Sequence, residues 1–279
     1  MSKFTPADLL ILIVLALLFC TVPVLAQQSS VSITPASIDT TIKAGSSYTQ
    51  DFSLTNNTNE RLRVRTSAAD MWFDEKNVRT TTPAGTQPHS ASVWIQFSPS
   101  EIIAEPHTSV IVKAIITVPR DATGSFYTVP VFEAMPVERP VMVTVANAFN
   151  AAATIGLRFR ALIMLTTEIG AEYNVEIMGA KIVPPTPSSE LELSLDLRNR
   201  GNAHAKVRGN YAIVDSAGKL VGRGSIEEKR FLPTQRNFIN SKWSGDLKPG
   251  DYTAIVTLSY DRVGLEPTSL LQEIPFRVK

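Results

Sequence analysis

From Ile155 to Ile163 every second residue is apolar: Ile155, Leu157, Phe159, Ala161 and Ile163. Thr154, Gly156, Arg158, Arg160, Leu162 and Met164 fall between and beside them. A period of two is that of a β-strand, whose successive side chains point to opposite faces. The alternation spans residues 151–165 and predicts one long strand near the middle of the chain. No useful length of the chain beyond residue 26 shows helical spacing.

The same period recurs on both sides of that strand. It is clear in YTQDFSLT (residues 48–55), in residues 62–73, in SVWIQF (92–97), in TSVIVKAIITV (108–118) and in SFYTVPVFEA (125–134). Turn-formers separate these runs: Gly45, Asn56 to Asn59, and Pro119 to Gly124. Residues 74–89 read as a long polar loop. Pro130 lies inside a predicted strand and cannot donate to a ladder, which predicts an edge strand or a bulge. Beyond residue 170 the pattern starts again with LELSLDL (191–197), KVRGNYAIV (206–214), residues 220–226 and 237–243, TAIVTLSY (253–260) and residues 270–278. Many short strands with Gly, Pro and Asn turns imply an all-β protein. The reading is two immunoglobulin-like β-sandwich domains in tandem, over 28–166 and 170–279.

Residues 1–26 stand apart. Lys3 precedes an apolar run over 9–25, and Val24, Leu25 and Ala26 offer a small-residue cleavage site. This is the pattern of a cleaved secretory signal peptide, and the rival is an uncleaved anchor of barely spanning length. Phe19 before Cys20 does not suit lipidation. Cys20 is the only cysteine, so the mature chain is expected to hold no disulfide, thiol nucleophile or cysteine-bound metal. No second apolar run reaches spanning length, which places the mature protein in the periplasm or outside the cell. With 27 Lys and Arg against 26 Asp and Glu, no basic excess points to nucleic acid or an anionic membrane.

Catalytic patterns do not emerge. His89, His107 and His204 are spaced with neither one another nor a carboxylate as ligands would be, and they read as surface or turn histidines. There is no Gly-x-Ser-x-Gly elbow and no Gly-rich phosphate loop. No enzyme activity, metal or cofactor is expected. Asp70, Asp74 and Glu75 cluster near Trp72 and read as acidic residues that keep a strand end solvated, with a cation or sugar site the lesser reading. Trp72, Phe73, Trp94, Phe97, Phe126, Tyr127 and Phe132 read as core aromatics, with carbohydrate stacking the lesser reading. Trp94 and Phe97 fall on opposite faces of a regular strand, so only one of them belongs in the core. The strand at 151–165 admits two readings. Arg158 and Arg160 are solvated on the outside of a sandwich strand, or the strand is an edge that pairs with an incoming peptide. In the second case Ile155, Leu157 and Phe159 give specificity, and an arginine takes a carboxylate.

Two stretches resemble a known family. Gly124-Ser-Phe-Tyr127 leading to Phe132-Glu133-Ala-Met-Pro136 is similar to the aromatic strand of the PapD-like periplasmic chaperones of pilus and surface-fibre assembly. Thr154-Ile-Gly-Leu-Arg-Phe-Arg160-Ala-Leu-Ile is similar to that family's subunit-binding strand. The resemblance implies a chaperone that binds surface-fibre subunits by β-strand donation. It implies that Arg160 stands where the family keeps an anchoring lysine for a subunit carboxylate. The family's second anchoring base lies on the first strand, but residues 31–38 hold no Arg or Lys. Trp94 to Pro99 and the Leu247-Lys-Pro-Gly-Asp-Tyr252 turn also look like the two-domain surface proteins that interact with WxL proteins. The different-class alternative is an adhesive or structural cell-envelope module that binds protein or glycan.

Overall fold

The computed structural model describes residues 31–73, 78–137, 141–144, 150–153 and 156–279. The segment over 1–26 expected to be a signal peptide, Asp74, Glu75 and Ile155 lie outside them. Among the described residues there is no helix, and the molecule is two tandem immunoglobulin-like β-sandwiches.

The first sandwich runs through β1 (Val31–Thr34), β2 (Ser37–Ile42), β3 (Ser47–Asn56), β4 (Leu62–Phe73), β5 (Arg79–Pro83), β6 (Ile95–Ser98) and β7 (Glu101–Ala104). It continues through β8 (Thr108–Thr117), β9 (Ser125–Pro136), β10 (Val141–Thr144), β11 (Asn150–Ala153), β12 (Leu157–Arg160) and β13 (Leu162–Thr167). One sheet has the order β1-β3-β8-β6. The other has the order β2-β13-β9-β4-β5, with β12 beside β9 and β7 beside β4. β10 and β11 form a separate hairpin. Two of the passages from the small sheet to the large one run through a proline, Pro35 between β1 and β2 and Pro99 between β6 and β7.

Between the sheets lie Phe52, Leu54, Val64, Val112, Ile116, Phe132, Ile163 and Leu165, all sealed from solvent. Burial of such side chains contributes about 2 kcal/mol each. Exposed ion pairs such as Lys113–Asp51 contribute about 0–1 kcal/mol. The core, not surface charge, holds the sandwich.

The second sandwich comprises β14 (Val175–Val183), β15 (Leu191–Asn199), β16 (Ala205–Asp215), β17 (Leu220–Phe231), β18 (Arg236–Trp243), β19 (Gly250–Arg262) and β20 (Leu265–Val278). Its sheets have the orders β14-β15-β18 and β17-β16-β19-β20. Leu191, Leu193, Leu195 and Leu197 all point inward from β15.

Four sequence expectations need correction. The single strand over 151–165 is three segments, broken between β12 and β13 at Ala161. Both segments keep one register against β9, from Leu157↔Ala134 to Thr166↔Ser125. Ala161 falls opposite Pro130, which has no N–H to give, and the ladder breaks there. Pro130 is on neither an edge nor a bulge. β9 is central, with β4 in unbroken register on its other side, Ala68 facing Pro130. The loop over 74–89 contains β5, a Thr-rich edge strand with no apolar alternation to reveal it. Trp94 and Phe97 both pack against the first core, because β6 starts at Ile95 and Trp94 sits in the turn before it.

Candidate functional site

The large sheet is apolar on both faces where β9 crosses it. Phe132 and Ala134 face the core, whereas Tyr127, Val129 and Val131 face outward. The outward patch includes Met71 and Met164 and is capped by Leu232 of the second sandwich. At this junction Gly124 (φ +95°) lies so close to Asn202 that a Cβ would stand 2.4 Å from the Asn202 carbonyl. Its positive φ and this contact both favour glycine. Ser125 N–H donates to the same carbonyl at 2.9 Å, and His204 N–H donates to Ser125 Oγ at 3.0 Å.

Asp39 on β2 is the charged centre of the junction. It receives Lys206 Nζ at 2.6 Å, Arg230 Nη2 at 3.0 Å and His204 Nε2 at 3.2 Å. Burial alone would raise its pKa. Hydrogen bonds and charge from His204 and Lys206 outweigh that and hold it well below the usual carboxylate range. Beside it opens a cleft of about 380 Å³, lined by Tyr173, His204, Lys206 and Arg262 among others.

The histidines therefore do not all match the expectation. His204 is buried, and its Nε2 lies 3.2 Å from Asp39 Oδ1 across the junction. His89 is half-buried. It stacks on Trp72, with ring centroids 5.7 Å apart, and its Nδ1–H donates to the Ser125 carbonyl at 2.9 Å. Burial lowers its pKa, opposed by that hydrogen bond. His107 is exposed beside Asn59. Asp70 is not a surface group either. It is buried, and its carboxylate accepts from Thr86 N, Gln87 N and Ser90 Oγ at 2.8, 2.9 and 2.6 Å. It organises the following loop from within. Among the described residues, no group of three or more His, Cys, Asp or Glu is arranged to hold a metal. No helix among them is long and apolar enough to cross a membrane.

The sheet edge at residues 157–160 is the feature that stands apart. β2 covers β13 in parallel, from Ser37↔Leu162 to Ile42↔Thr167, and Leu162 N–H donates to Ala36 O at 3.0 Å. The residues before Ala36 leave this sheet, because β1 pairs with β3 in the other one. β12 thus has β9 on one side and no strand on the other among the described residues.

Hydrogen-bond parity follows from the register. Ala161 N–H donates to Pro130 O at 3.0 Å. In an antiparallel pair the bonded positions alternate, so Leu157 and Phe159 bond to β9. The N–H and C=O of Arg158 and Arg160 point to the open edge. Leu157 and Phe159 turn their side chains inward and are half-buried against the first core. The Arg158 and Arg160 side chains are exposed. Arg158 is ion-paired with Glu133, while Arg160 makes no ion pair among the described residues. The structure thus brings together four of the five residues singled out from the sequence.

No protein-family model matches the sequence, and no curated protein matches it. The chain is similar to solved structures of PapD-like fimbrial chaperones. One is a chaperone–tip adhesin complex of CFA/I fimbriae biogenesis, at 14% identity over 88% of this chain and 98% of that one, with a TM-score of 0.48. Another is the class 5 fimbriae chaperone CfaA, at 14% identity over 87% and 98%, with a TM-score of 0.44. A third is the Salmonella enterica SafA pilin in complex with the SafB chaperone, at 14% identity over 88% and 98%, with a TM-score of 0.40.

Proposed function

We propose that this chain is a chaperone-like protein of the cell envelope, exported by its N-terminal segment, that binds surface-fibre subunits by lending them the strand around residues 155–160. The open edge of β12 carries this reading. It offers the N–H and C=O of Arg158 and Arg160 to an incoming extended segment, in the mode of β-augmentation. The domain over 28–166 supplies the strand, and the domain over 170–279 supports it from the junction.

Backbone pairing alone does not suffice. Four new hydrogen bonds contribute about 0.5–1.5 kcal/mol each, and association costs about 4–15 kcal/mol. The remainder has to come from apolar burial. The half-buried Leu157 and Phe159 are the side chains placed to provide it.

The test co-expresses the full chain with a pilin-like subunit encoded near its gene, where one is present. Arg160→Pro removes an outward N–H that forms no internal ladder bond, so the fold tolerates it. Retention of the subunit in soluble form should fail in Arg160→Pro while the melting temperature holds. Unchanged retention would sink the strand-lending mechanism. A gene neighbourhood without any usher or pilin-like subunit would favour an adhesive or structural envelope module.

A further inference from the structure

One charged row crosses four strands on the outer face of the large sheet. Arg158 on β12 lies opposite Glu133 on β9. Glu133 lies opposite Arg65 on β4, and Arg65 lies opposite Glu101 on β7. The signs alternate without a break. Arg158 is ion-paired with Glu133, and Arg65 Nη2 stands 3.2 Å from Glu101. The row stops on a cation, Arg158, on the strand whose other edge has no partner strand among the described residues. Two residues along the same face is Arg160. Its row runs inward to Val131 and Ser67, which leave it no charge partner.

Resting on the strand-lending reading above, the geometry points to the chemistry of the partner strand. It carries an acid–x–acid pattern, two Asp or Glu residues separated by one residue, placed opposite Arg158 and Arg160. The outward backbone groups belong to these two arginines, so they are the positions at which a partner pairs. Residues directly opposite in a sheet share a face and lie within side-chain reach, where opposite charges attract and like charges repel. The intervening partner residue falls on the inner face beside Phe159, which requires it to be apolar. A slip of one residue would turn both acids toward the core, so the charges also set the register. A basic segment is repelled twice, which makes the arginines a filter as well as a grip.

The test measures binding of three labelled ten-residue peptides to the full mature chain by fluorescence anisotropy. They share one alternating Val/Thr backbone and differ only in Asp-x-Asp, Gln-x-Gln or Lys-x-Lys at the outward positions. Amide exchange at residues 158 and 160 is followed in parallel. The Asp peptide should bind about tenfold tighter than the Gln peptide, since each pair contributes a fraction of a tenfold step to a few fold. The Lys peptide should bind more weakly still, and the preference should shrink with salt. Arg160→Glu, which breaks no internal ion pair, should erase the preference between the Asp and Lys peptides, because its attraction for Lys offsets that of Arg158 for Asp. Equal affinities with amide protection intact would overturn the acid–x–acid inference and leave strand pairing standing. No binding and no protection with any peptide would overturn both.

Discussion

Ala161 donates its N–H to the carbonyl of Pro130 at 3.0 Å, and Pro130 has no N–H to return. This one missing donor divides β12 from β13 although the register is continuous. It also explains how a central strand tolerates proline, since β9 loses a single bond on one side and none toward β4.

Pro130→Ala should restore that donor at little net cost. The new bond contributes about 1 kcal/mol. The lost proline constraint on the unfolded chain costs about 0.4–1 kcal/mol, and the lost ring carbons cost about as much again. Urea unfolding should show a loss below about 1.5 kcal/mol. Ile163→Ala on the same sheet should cost about 2–5 kcal/mol. Amide exchange should find the new N–H at position 130 protected. A rapidly exchanging amide there would refute the bonding parity on which the outward edge of Arg158 and Arg160 depends.

Asp39→Ala should loosen the two domains. It leaves Lys206, Arg230 and buried His204 without their shared carboxylate. Removing one member of a partly buried charge cluster costs about 2–3 kcal/mol, below the range for a fully buried pair because Asp39 keeps some solvent contact. The acid dependence follows from its depressed pKa. The stabilisation is complete above the unfolded-chain value near pH 4 and is lost as pH falls below it toward the folded value. Unfolding of the parent and Asp39→Asn should therefore differ most above about pH 4 and converge in stronger acid. A constant difference from pH 5 down to the acid-unfolded limit would show that Asp39 acts by shape alone.

The fold was legible wherever burial falls on one face. In β15, Leu191, Leu193, Leu195 and Leu197 alternate because one side is core, and all four are sealed in it. The site strand was legible for the same reason, since Leu157 and Phe159 face in while Arg158 and Arg160 face out. Its open edge was not, because that depends on β1 leaving the sheet before Ala36. The Asp39 cluster left no local sign either. Its partners lie on β16, on β17 and just before β16 in the other domain, and no spacing rule joins residues so far apart in sequence. Asp70 read as surface charge because the N–H groups it caps belong to a loop whose path the sequence does not show.

Asp70→Asn should free that loop. The carboxylate satisfies two backbone N–H groups and one hydroxyl in a buried setting. Burial would raise its pKa, but bonds from Ser90, Ser92 and the loop backbone outweigh this and lower it. An amide offers one acceptor oxygen in place of two, which leaves a buried donor unmatched at about 1–3 kcal/mol. Amide exchange at Thr86 and Gln87 should accelerate well before global unfolding. Unchanged exchange there would show that the loop is held by its other contacts.

Leu232→Ala should separate domain docking from domain stability. Leu232 is 2% exposed and lies against Tyr127, Val129, Val131, Met71 and Met164 of the first sandwich. These partners have their own strand pairing and do not need Leu232 to fold. A Leu→Ala truncation at a packed site costs about 2–5 kcal/mol, and here the cost falls on the contact between domains. Parent protein should unfold in urea as one transition. The variant should show two, with the outward patch of the first sandwich binding a hydrophobic dye between them. A single transition shifted to lower urea would place Leu232 among the residues that hold the second sandwich itself together.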